Sequence, residues 1–474
     1  MAVREQETRR LSVSTVPVPG WLESRALHGG TDRSSPLATP PPGSGLLAIP
    51  GDPGLPLIGH GLEWMRYGPR FERARVNRHG PVSWMKAFGM RMVMVGGADA
   101  TQAVLTNKDK AFSQTGWNLF FDPFFRRGLL LLDAEHLQHR RIMQQAFTRP
   151  RLAAYADVAG RITRAGLADL PDRLAVHPAM VRLTMDIGSQ VFMGARPGTN
   201  EPVLRAFTSA VAGTTALLRF PMPGGKWRAG LRGRRTLEEH FSAALSGKRD
   251  SAADDLFSVL AGAQDEDGSR FTDTEIVDHM IFLMLAAFDT SATAVTAAMY
   301  HLARRLEWQE RARAESVAVG PAPDIDGLDR LTTLDLVVKE ALRLVAPVPT
   351  YVRKTIRDVD LTGYHLPADT TTIVMPAANH YDPALWRDPD EFDPDRFAEP
   401  RREDQAHRYA WLPFGGGAHK CIGMVLGFLE TKTILHELLL RYRWRLPQDH
   451  RMRWDWSNAP FPVDGLPVHL DRLT

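Results

Sequence analysis

Residues 414–423 read Phe-Gly-Gly-Gly-Ala-His-Lys-Cys-Ile-Gly and include Cys421, the only cysteine of the 474 residues. The three consecutive glycines allow positive φ and close backbone approach, so the loop can fold tightly beside a large flat group. An apolar pattern with helical period begins at Met424, which places the sulfur near the N-terminus of a predicted helix. Because that end of a helix favours anions, we expect a thiolate that can bind iron.

Five positions of this stretch match a known signature at fixed spacing. Phe414, Gly417, His419, Cys421 and Gly423 fit Phe-x-x-Gly-x-(His/Arg)-x-Cys-x-Gly, and through them the chain resembles the cytochrome P-450 family of haem-thiolate monooxygenases. The resemblance implies haem b (iron protoporphyrin IX) as cofactor, Cys421 as the iron ligand, and Phe414, His419 and Gly423 beside the haem. The structural alternative is a lone core cysteine after an ordinary loop.

The same resemblance implies a mainly α-helical, triangular fold with a small β-rich region. The haem is expected between a long central helix and the cysteine loop, within one domain over residues 46–474. Residues 1–45 mix Arg, Glu, Ser, Pro and Gly without apolar periodicity, so we predict a flexible leader there.

Composition sets limits on the partners. A formal charge of only +3 does not indicate a nucleic-acid partner. The longest clean apolar run, Met280–Phe288, is far shorter than the roughly 20 residues of a membrane span, so no transmembrane anchor is expected. A single cysteine that must stay reduced fits a reducing compartment, and we expect a cytoplasmic monomer.

A long helical pattern begins at the capping-box candidate Thr272–Glu275. In its middle, Ala286, Ala287, Asp289 and Thr290 resemble the family's oxygen-binding motif, with Ala287 replacing the usual glycine. The resemblance implies that the two alanines make room for dioxygen, that Thr290 hydrogen-bonds it and that Asp289 feeds protons. Alternatively, Thr290 bonds the carbonyl four residues earlier and Asp289 forms a salt bridge.

Three basic or donor residues are candidates for binding the haem propionates. His136 and Arg140 are four residues apart on a predicted helix and therefore share one face. Arg353, in a strand-like segment, matches a further propionate-binding arginine of the family. The alternative for His136 and Arg140 is an exposed basic helix face.

Glu340, Arg343 and Arg396 match the family's Glu-Arg-Arg network, which the resemblance implies supports the cysteine loop and takes no part in catalysis. Taken alone, Glu340 and Arg343 could be a surface ion pair worth roughly 0.2–0.5 kcal/mol.

The resemblance implies an apolar substrate pocket lined by Trp117, Phe120, Phe121, Ala287, Thr350, Tyr351, Val352 and Phe461. The aromatic stretch 116–125 fits either a mobile loop over the haem or the protein core. Residues 217–235 resemble the loop that lids the pocket; this basic segment either touches an anionic membrane surface, as a peripheral contact, or is solvated.

The implied activity inserts one atom of dioxygen into an apolar small molecule, which is hydroxylated or otherwise oxidised. Steroid, terpenoid, fatty acyl and polyketide-like substrates all remain open. Two electrons are expected from separate redox partners, a ferredoxin or flavodoxin with its reductase. Two alternatives remain: a haem-thiolate isomerase or dehydratase that needs no external electrons, and a non-catalytic haem protein that binds a ligand. The Asp289–Thr290 pair argues against both.

Overall fold

The computed structural model describes residues 20–28, 34–216 and 218–473. Its α-helices are α1 Gly20–His28, α2 Gly61–Tyr67, α3 Pro69–His79, α4 Ala98–Thr106, α5 Asn118–Phe121, α6 His136–Gln144, α7 Arg149–Gly166, α8 Val176–Met193, α9 Glu201–Thr214, α10 Lys226–Arg249, α11 Leu256–Gly262, α12 Asp273–Arg304, α13 Leu306–Val319, α14 Ile325–Asp329, α15 Thr332–Leu344, α16 Pro376–His380 and α17 Met424–Arg441. Its strands are β1 Ser35–Pro36, β2 Leu47–Ala48, β3 Pro50–Asp52, β4 Val82–Ala87, β5 Met90–Val95, β6 Phe112–Ser113, β7 Arg173–Ala175, β8 Tyr351–Thr355, β9 Val359–Leu361, β10 Tyr364–Leu366, β11 Thr371–Val374, β12 Tyr442–Arg445, β13 Trp454–Asp455, β14 Phe461–Pro462 and β15 Pro467–Arg472. The predicted mainly α-helical fold with a small β region is confirmed.

Helix α12 is the 32-residue centre of the molecule. It begins with the predicted capping box, in which the Thr272 N–H donates to Glu275 Oε2 at 2.8 Å and the Glu275 N–H donates to Thr272 Oγ1 at 3.3 Å. The helix packs against α8, α10, α15 and α17. Within the described part of the chain it is the one helix long and apolar enough to cross a membrane, and 72% of its most apolar window is buried inside the protein. That burial is typical of a core helix.

The largest sheet has the strand order β1-β3-β4-β5-β11-β8-β6. Strand β11 pairs parallel with β5 and antiparallel with β8, in a register that sets Thr372 opposite Arg353. Beside β8, a Cβ added to Gly116 would lie 2.6 Å from the carbonyl carbon of Arg353. This close contact fixes the start of the aromatic segment against the strand that carries Arg353.

Two parts of the predicted leader carry secondary structure, where the sequence predicts none. Residues Gly20–His28 form α1, which lies against α3, and Ser35–Pro36 pairs antiparallel with β3. The Trp84 indole N–H also donates to Ser35 O at 2.7 Å. Such pairing uses backbone groups, which composition does not reveal. Residues 1–19 and 29–33 lie outside the described residues.

Two other segments differ from expectation. The aromatic stretch contains the short helix α5 and is not a plain loop. In the predicted lid, α10 begins at Lys226, so Arg232, Arg234 and Arg235 are helical, and residues 215–216 and 218–225 connect α9 to α10 within the described part. Leu217 lies outside the described residues.

Candidate haem and substrate site

A cavity of about 730 Å³ opens between α12, α6, β8 and the cysteine loop. Cys421, Phe414 and His419 line it from the loop, and Ala286, Asp289 and Thr290 line it from α12. The structure therefore brings the predicted iron ligand and the predicted oxygen motif to one space.

Backbone contacts set the position of the cysteine. The Cys421 N–H donates to Phe414 O at 2.9 Å, which closes the loop on itself. Gly417 has φ +66°, and a Cβ at this position would lie 2.0 Å from Leu105 O. No side chain fits there, so the loop needs glycine at this position to reach its place. The loop then enters α17 at Met424, as predicted.

The ionisation of Cys421 departs from the expected thiolate. Burial raises the pKa of the Cys421 thiol above its usual value, while the Gly423 N–H and the charges of Arg140 and Lys420 act in the opposite direction. The helix N-terminus alone therefore does not keep the Cys421 thiol deprotonated. A bound cation deprotonates a coordinating thiol outright, so iron would supply what the loop lacks.

The predicted propionate-binding residues meet at one side of the cavity. His136, Arg140 and Arg353 line it together with His419, whose ring centroid lies 3.7 Å from that of His136. The Arg140 guanidinium donates to Lys420 O at 2.7 Å, which ties α6 to the cysteine loop. These contacts place the predicted donors next to the loop.

The charges at this side are those that a dianionic cofactor needs. Arg353 is only 3% exposed and donates to Val352 O at 2.8 Å, and although the charge of Asp133 acts on it, it forms no salt bridge within the described part of the chain. Burial lowers the pKa of Arg353 to about 10. Burial, together with the charges of Arg140 and Arg353, lowers the pKa of His136 to about 4, so the imidazole is neutral. A buried guanidinium without a salt-bridge partner is unfavourable, and a propionate carboxylate would compensate it. The residues present fit haem b.

In the oxygen motif, the alternative bond of Thr290 is formed. The Thr290 hydroxyl donates to Ala286 O at 2.7 Å and lies 3.3 Å from Ala287 O. The oxygen of this hydroxyl keeps lone pairs that can accept a hydrogen bond. Asp289 lines the cavity beside it.

One candidate residue was missed from the sequence. Glu430 of α17 is buried, and its Oε2 accepts a 2.6 Å hydrogen bond from Ser291, which lines the cavity next to Thr290. Burial raises the pKa of Glu430 to about 7, against the Ser291 hydrogen bond. This carboxyl can therefore hold or release a proton near neutral pH. The available signal was an acid among the apolar residues at the start of α17.

The Glu-Arg-Arg residues form a fully buried cluster and not a surface pair. Arg343 donates to Glu340 at 2.7 and 2.8 Å, and Arg396 donates to Glu340 Oε1 at 3.0 Å. The Arg343 guanidinium also bonds His380 O, and the His380 Nε2 accepts from the Leu412 N–H at 2.8 Å. Through these hydrogen bonds the cluster contacts Leu412, which lies just before the cysteine loop.

Tyr351 has a role that differs from the predicted one. Its ring borders the cavity, but its hydroxyl donates to Leu412 O and accepts from the Gly415 N–H at 2.9 Å. The side chain therefore holds the cysteine loop. We call Glu340, Arg343, Arg396, His380 and Tyr351 together the brace.

The predicted substrate residues separate into two groups. Trp117, Phe120, Phe121 and Thr350 line the cavity. Trp117 is nonetheless buried and stacks on Phe121 at 5.2 Å, while Phe124 and Phe125 are core residues. Thus the aromatic stretch serves both as pocket and as core. We call Phe120, Phe121, Phe282 and Leu283, which line the cavity together, the wall.

Ala287, Val352 and Phe461 do not line the main cavity, so their prediction as pocket residues is wrong. Ala287 borders a separate small void, since one residue turns the helix face by about 100°. Side chains alternate along β8, so that of Val352 points away from the cavity, where it is fully buried. The Phe461 ring stacks on His177 at 6.0 Å, and residues 457–459 line the cavity in its place.

Known proteins similar to this chain identify its family. Residues 49–457 match the family model described as Cytochrome P450, and the chain belongs to the cytochrome P-450 family, whose cofactor is haem. A Mycobacterium tuberculosis protein provisionally named cytochrome P-450 136 is 46% identical over 98% of this chain and 97% of its own length. Cyclooctatin synthase of Streptomyces melanosporofaciens is 30% identical over 83% of this chain and 89% of its own.

Solved structures support the same fold. A cyanobacterial family member with retinoic acid bound superposes with a TM-score of 0.83 at 26% identity, covering 90% of this chain and all of the other. The triangular fold expected from the sequence is therefore confirmed.

Proposed function

We propose that this haem-thiolate oxidoreductase is a monooxygenase that inserts one oxygen atom into an apolar small molecule, using two externally supplied electrons. The observation that carries the proposal is that Cys421, Asp289 and Thr290 line one cavity. When bound, the haem supplies the reductive activation of dioxygen. A non-catalytic ligand carrier or an isomerase has no use for a carboxylate and a hydroxyl at that position.

The residues of the chain position groups and move protons. Thr290 is held by its bond to Ala286 O, so its hydroxyl oxygen has a fixed position at the cavity. Asp289 supplies a carboxylate that can pass protons inward. Glu430 is a second proton reservoir, reached through the Ser291 hydroxyl. The apolar surroundings exclude bulk water, which would waste the reducing equivalents.

The lining supports an apolar substrate. The wall offers aromatic and aliphatic surface, and burying apolar area contributes on the order of 25 cal/mol per Å². Retinoic acid, bound by the structural relative, is a long apolar molecule with one polar end. We infer a substrate of that general kind, such as a terpenoid, whose apolar body lies against the wall.

The predicted partners stay predictions. Electrons are expected from a ferredoxin or flavodoxin with its reductase, and a cytoplasmic monomer remains our expectation. In the lid, Leu218, Phe220 and Met222 expose 61%, 52% and 38% of their surface beside Arg219. An apolar and basic segment of this kind supports the predicted peripheral membrane contact.

The test of the proposal replaces Thr290 by Ala, with Thr290→Ser as the matched control that keeps the hydroxyl. We expect Thr290→Ala to keep its haem, its ligand-induced spectral shift and its consumption of reduced nicotinamide. Product formed per electron should fall by about tenfold or more, because protons are then misdirected and reduced oxygen leaves as peroxide. Thr290→Ser should retain most of the coupling.

Asp289→Asn tests the role of the Asp289 carboxylate as a proton source. It should slow the whole cycle, since it removes a proton source and leaves the hydroxyl in place. If Thr290→Ala keeps full coupling, the Thr290 hydroxyl has only a structural role, its hydrogen bond to Ala286 O. Turnover of the wild type without any electron donor would favour the isomerase or dehydratase instead.

A further inference from the structure

One residue of the wall is held by a close contact with the backbone of another segment. Phe282 of α12 lines the cavity and is 8% exposed, whereas Phe120 and Phe121 are half-buried. The Phe282 ring meets that of Phe121 edge-on, with 6.4 Å between the two centroids. It also packs directly on Gly128, which precedes the short 3-10 helix Leu129–Leu131. Phe282 is therefore fixed more firmly than its neighbours in the wall.

The contact requires glycine at position 128 for a steric reason. A Cβ added to Gly128 would lie 1.9 Å from Cγ and 2.5 Å from Cβ of Phe282, far inside ordinary van der Waals contact. The backbone itself makes no such demand, since Gly128 has φ −64° and ψ 156°, a conformation that any residue adopts. Gly128 is not among the residues that line the cavity. What it supplies is the space that the Phe282 side chain occupies.

Phe282 also lies close to the oxygen motif. It precedes Ala286 by four residues, so the two side chains share one face of α12 and are about 6 Å apart along the helix. Ala286 and Thr290 line the same cavity as Phe282. A substrate that approaches the motif along this face passes the Phe282 ring. The ring therefore limits the width of the reacting end.

A ring that cannot move aside discriminates between ligands by their shape. Extra bulk against it is unfavourable, because neighbouring side chains are forced out of their preferred rotamers. We propose that Phe282 is a specificity-determining residue that admits a slim acyclic chain to the oxygen motif and rejects a fused ring system, and that Gly128 is its positioning residue. Gly128 acts through Phe282 and touches no substrate. The inference rests on the proposed function and specifies the shape of its apolar substrate.

The experiment titrates the haem-loaded full chain with two isomeric sesquiterpene alcohols and records the ligand-induced spectral shift. Farnesol is an acyclic chain, and drimenol has the same atoms arranged in two fused rings, so the pair differs mainly in width. We expect the wild type to bind farnesol at least about fivefold more tightly, the lower end for one overpacked contact. Phe282→Ala should raise the affinity for drimenol to that for farnesol.

Gly128→Ala tests the positioning role. Helix α12 is held by α8, α10, α15 and α17, so the added methyl group displaces mainly the Phe282 side chain, and the open side is the cavity. The preference for farnesol should therefore rise severalfold above that of the wild type. In the double variant Phe282→Ala/Gly128→Ala the methyl group meets no ring, and the preference should equal that of Phe282→Ala. If Gly128→Ala alone does not hold haem, recovery of haem binding in the double variant supports the same contact.

Gly188→Ala is the matched control. A Cβ added there would lie 2.2 Å from Cε1 of Phe288, another phenylalanine of α12, which is 1% exposed and belongs to the core. The substitution thus creates the same kind of clash away from the main cavity. It should lower stability, but it should leave the ratio of the farnesol and drimenol affinities unchanged. A merely structural role of Gly128 would give that same result in Gly128→Ala.

The outcomes are distinguishable. Equal binding of the two alcohols by the wild type, or a farnesol preference that survives Phe282→Ala, would overturn the inference and leave the proposed function standing. A farnesol preference in Gly128→Ala that does not exceed that of Gly188→Ala would overturn the positioning role. If neither alcohol shifts the wild-type spectrum, the apolar substrate class itself is wrong and both proposals fall.

Discussion

The brace and the wall border the same cavity but are built differently. In the brace, Glu340, Arg343 and Arg396 are fully buried, and each makes several charged hydrogen bonds. In the wall, Phe120 and Phe121 are half-buried, and their side chains contact the ring of Trp117. Paired buried charges allow one arrangement, whereas apolar surfaces tolerate many. The part of the cavity lining that supports the cofactor is therefore rigidly specified, whereas the part that contacts the substrate is adaptable.

We expect the largest effect from a substitution that disrupts the brace. Glu340→Ala leaves Arg343 and Arg396 buried without their carboxylate, which should lower the free energy of unfolding by about 3–5 kcal/mol and reduce haem content. The control is Glu201→Ala, which removes an exposed pair with Arg205 at 3.5 Å and should change stability by no more than about 0.5 kcal/mol. Chemical denaturation of both variants gives the two values. Equal effects would show that burial of the cluster contributes nothing.

We expect a smaller effect from removing the Tyr351 hydroxyl alone. Tyr351→Phe removes the link between Leu412 and Gly415 and should cost about 1–3 kcal/mol, with faster haem loss. Tyr442→Phe is the matched control, since that hydroxyl also donates to a carbonyl, of Leu167 at 2.8 Å, and accepts from an amide, of Leu170 at 3.4 Å. Both variants should be similarly destabilised, but only Tyr351→Phe should release haem faster to an apo-globin acceptor. Identical haem retention would remove Tyr351 from the brace.

The smallest effect concerns the wall. Phe120→Ala removes cavity surface without opening the core, so it should weaken binding of an apolar ligand by about 1 kcal/mol, or fivefold, and hardly change stability. Phe125→Ala is the contrast, because its ring is 1% exposed and its loss should destabilise the protein by about 3–5 kcal/mol. Ligand titration and denaturation of both variants measure this. A Phe120→Ala variant as unstable as Phe125→Ala would place Phe120 in the core.

The sequence predicted the charged part of the brace better than the full lining of the pocket. The resemblance to the family's Glu-Arg-Arg network named Glu340, Arg343 and Arg396, because charged groups that are buried together leave a recognisable motif, whereas His380 was not predicted and Tyr351 was assigned to the pocket. Pocket residues depend on which face a side chain takes. Ala287 and Val352 were therefore assigned to the pocket although each lies one residue away from it.

Other features left no pattern that could be found in advance. Glu430 lies in a largely apolar stretch of its helix, where an ordinary buried residue is the usual explanation. Its importance depends on a partner far away in sequence, Ser291, which only the packing of α12 against α17 brings near. The helix within the predicted leader likewise depends on contacts with α3.

The central claim is that Cys421 holds a haem iron as thiolate. The most direct measurement is the absorption spectrum of the reduced, carbon monoxide-treated protein, recorded for the wild type and for Cys421→Ser. The wild type should show the red-shifted band characteristic of a thiolate ligand, and the serine variant should lose it, because the chain has no second cysteine. A serine variant that keeps this band, or a haem-loaded wild type that lacks it, would contradict the account.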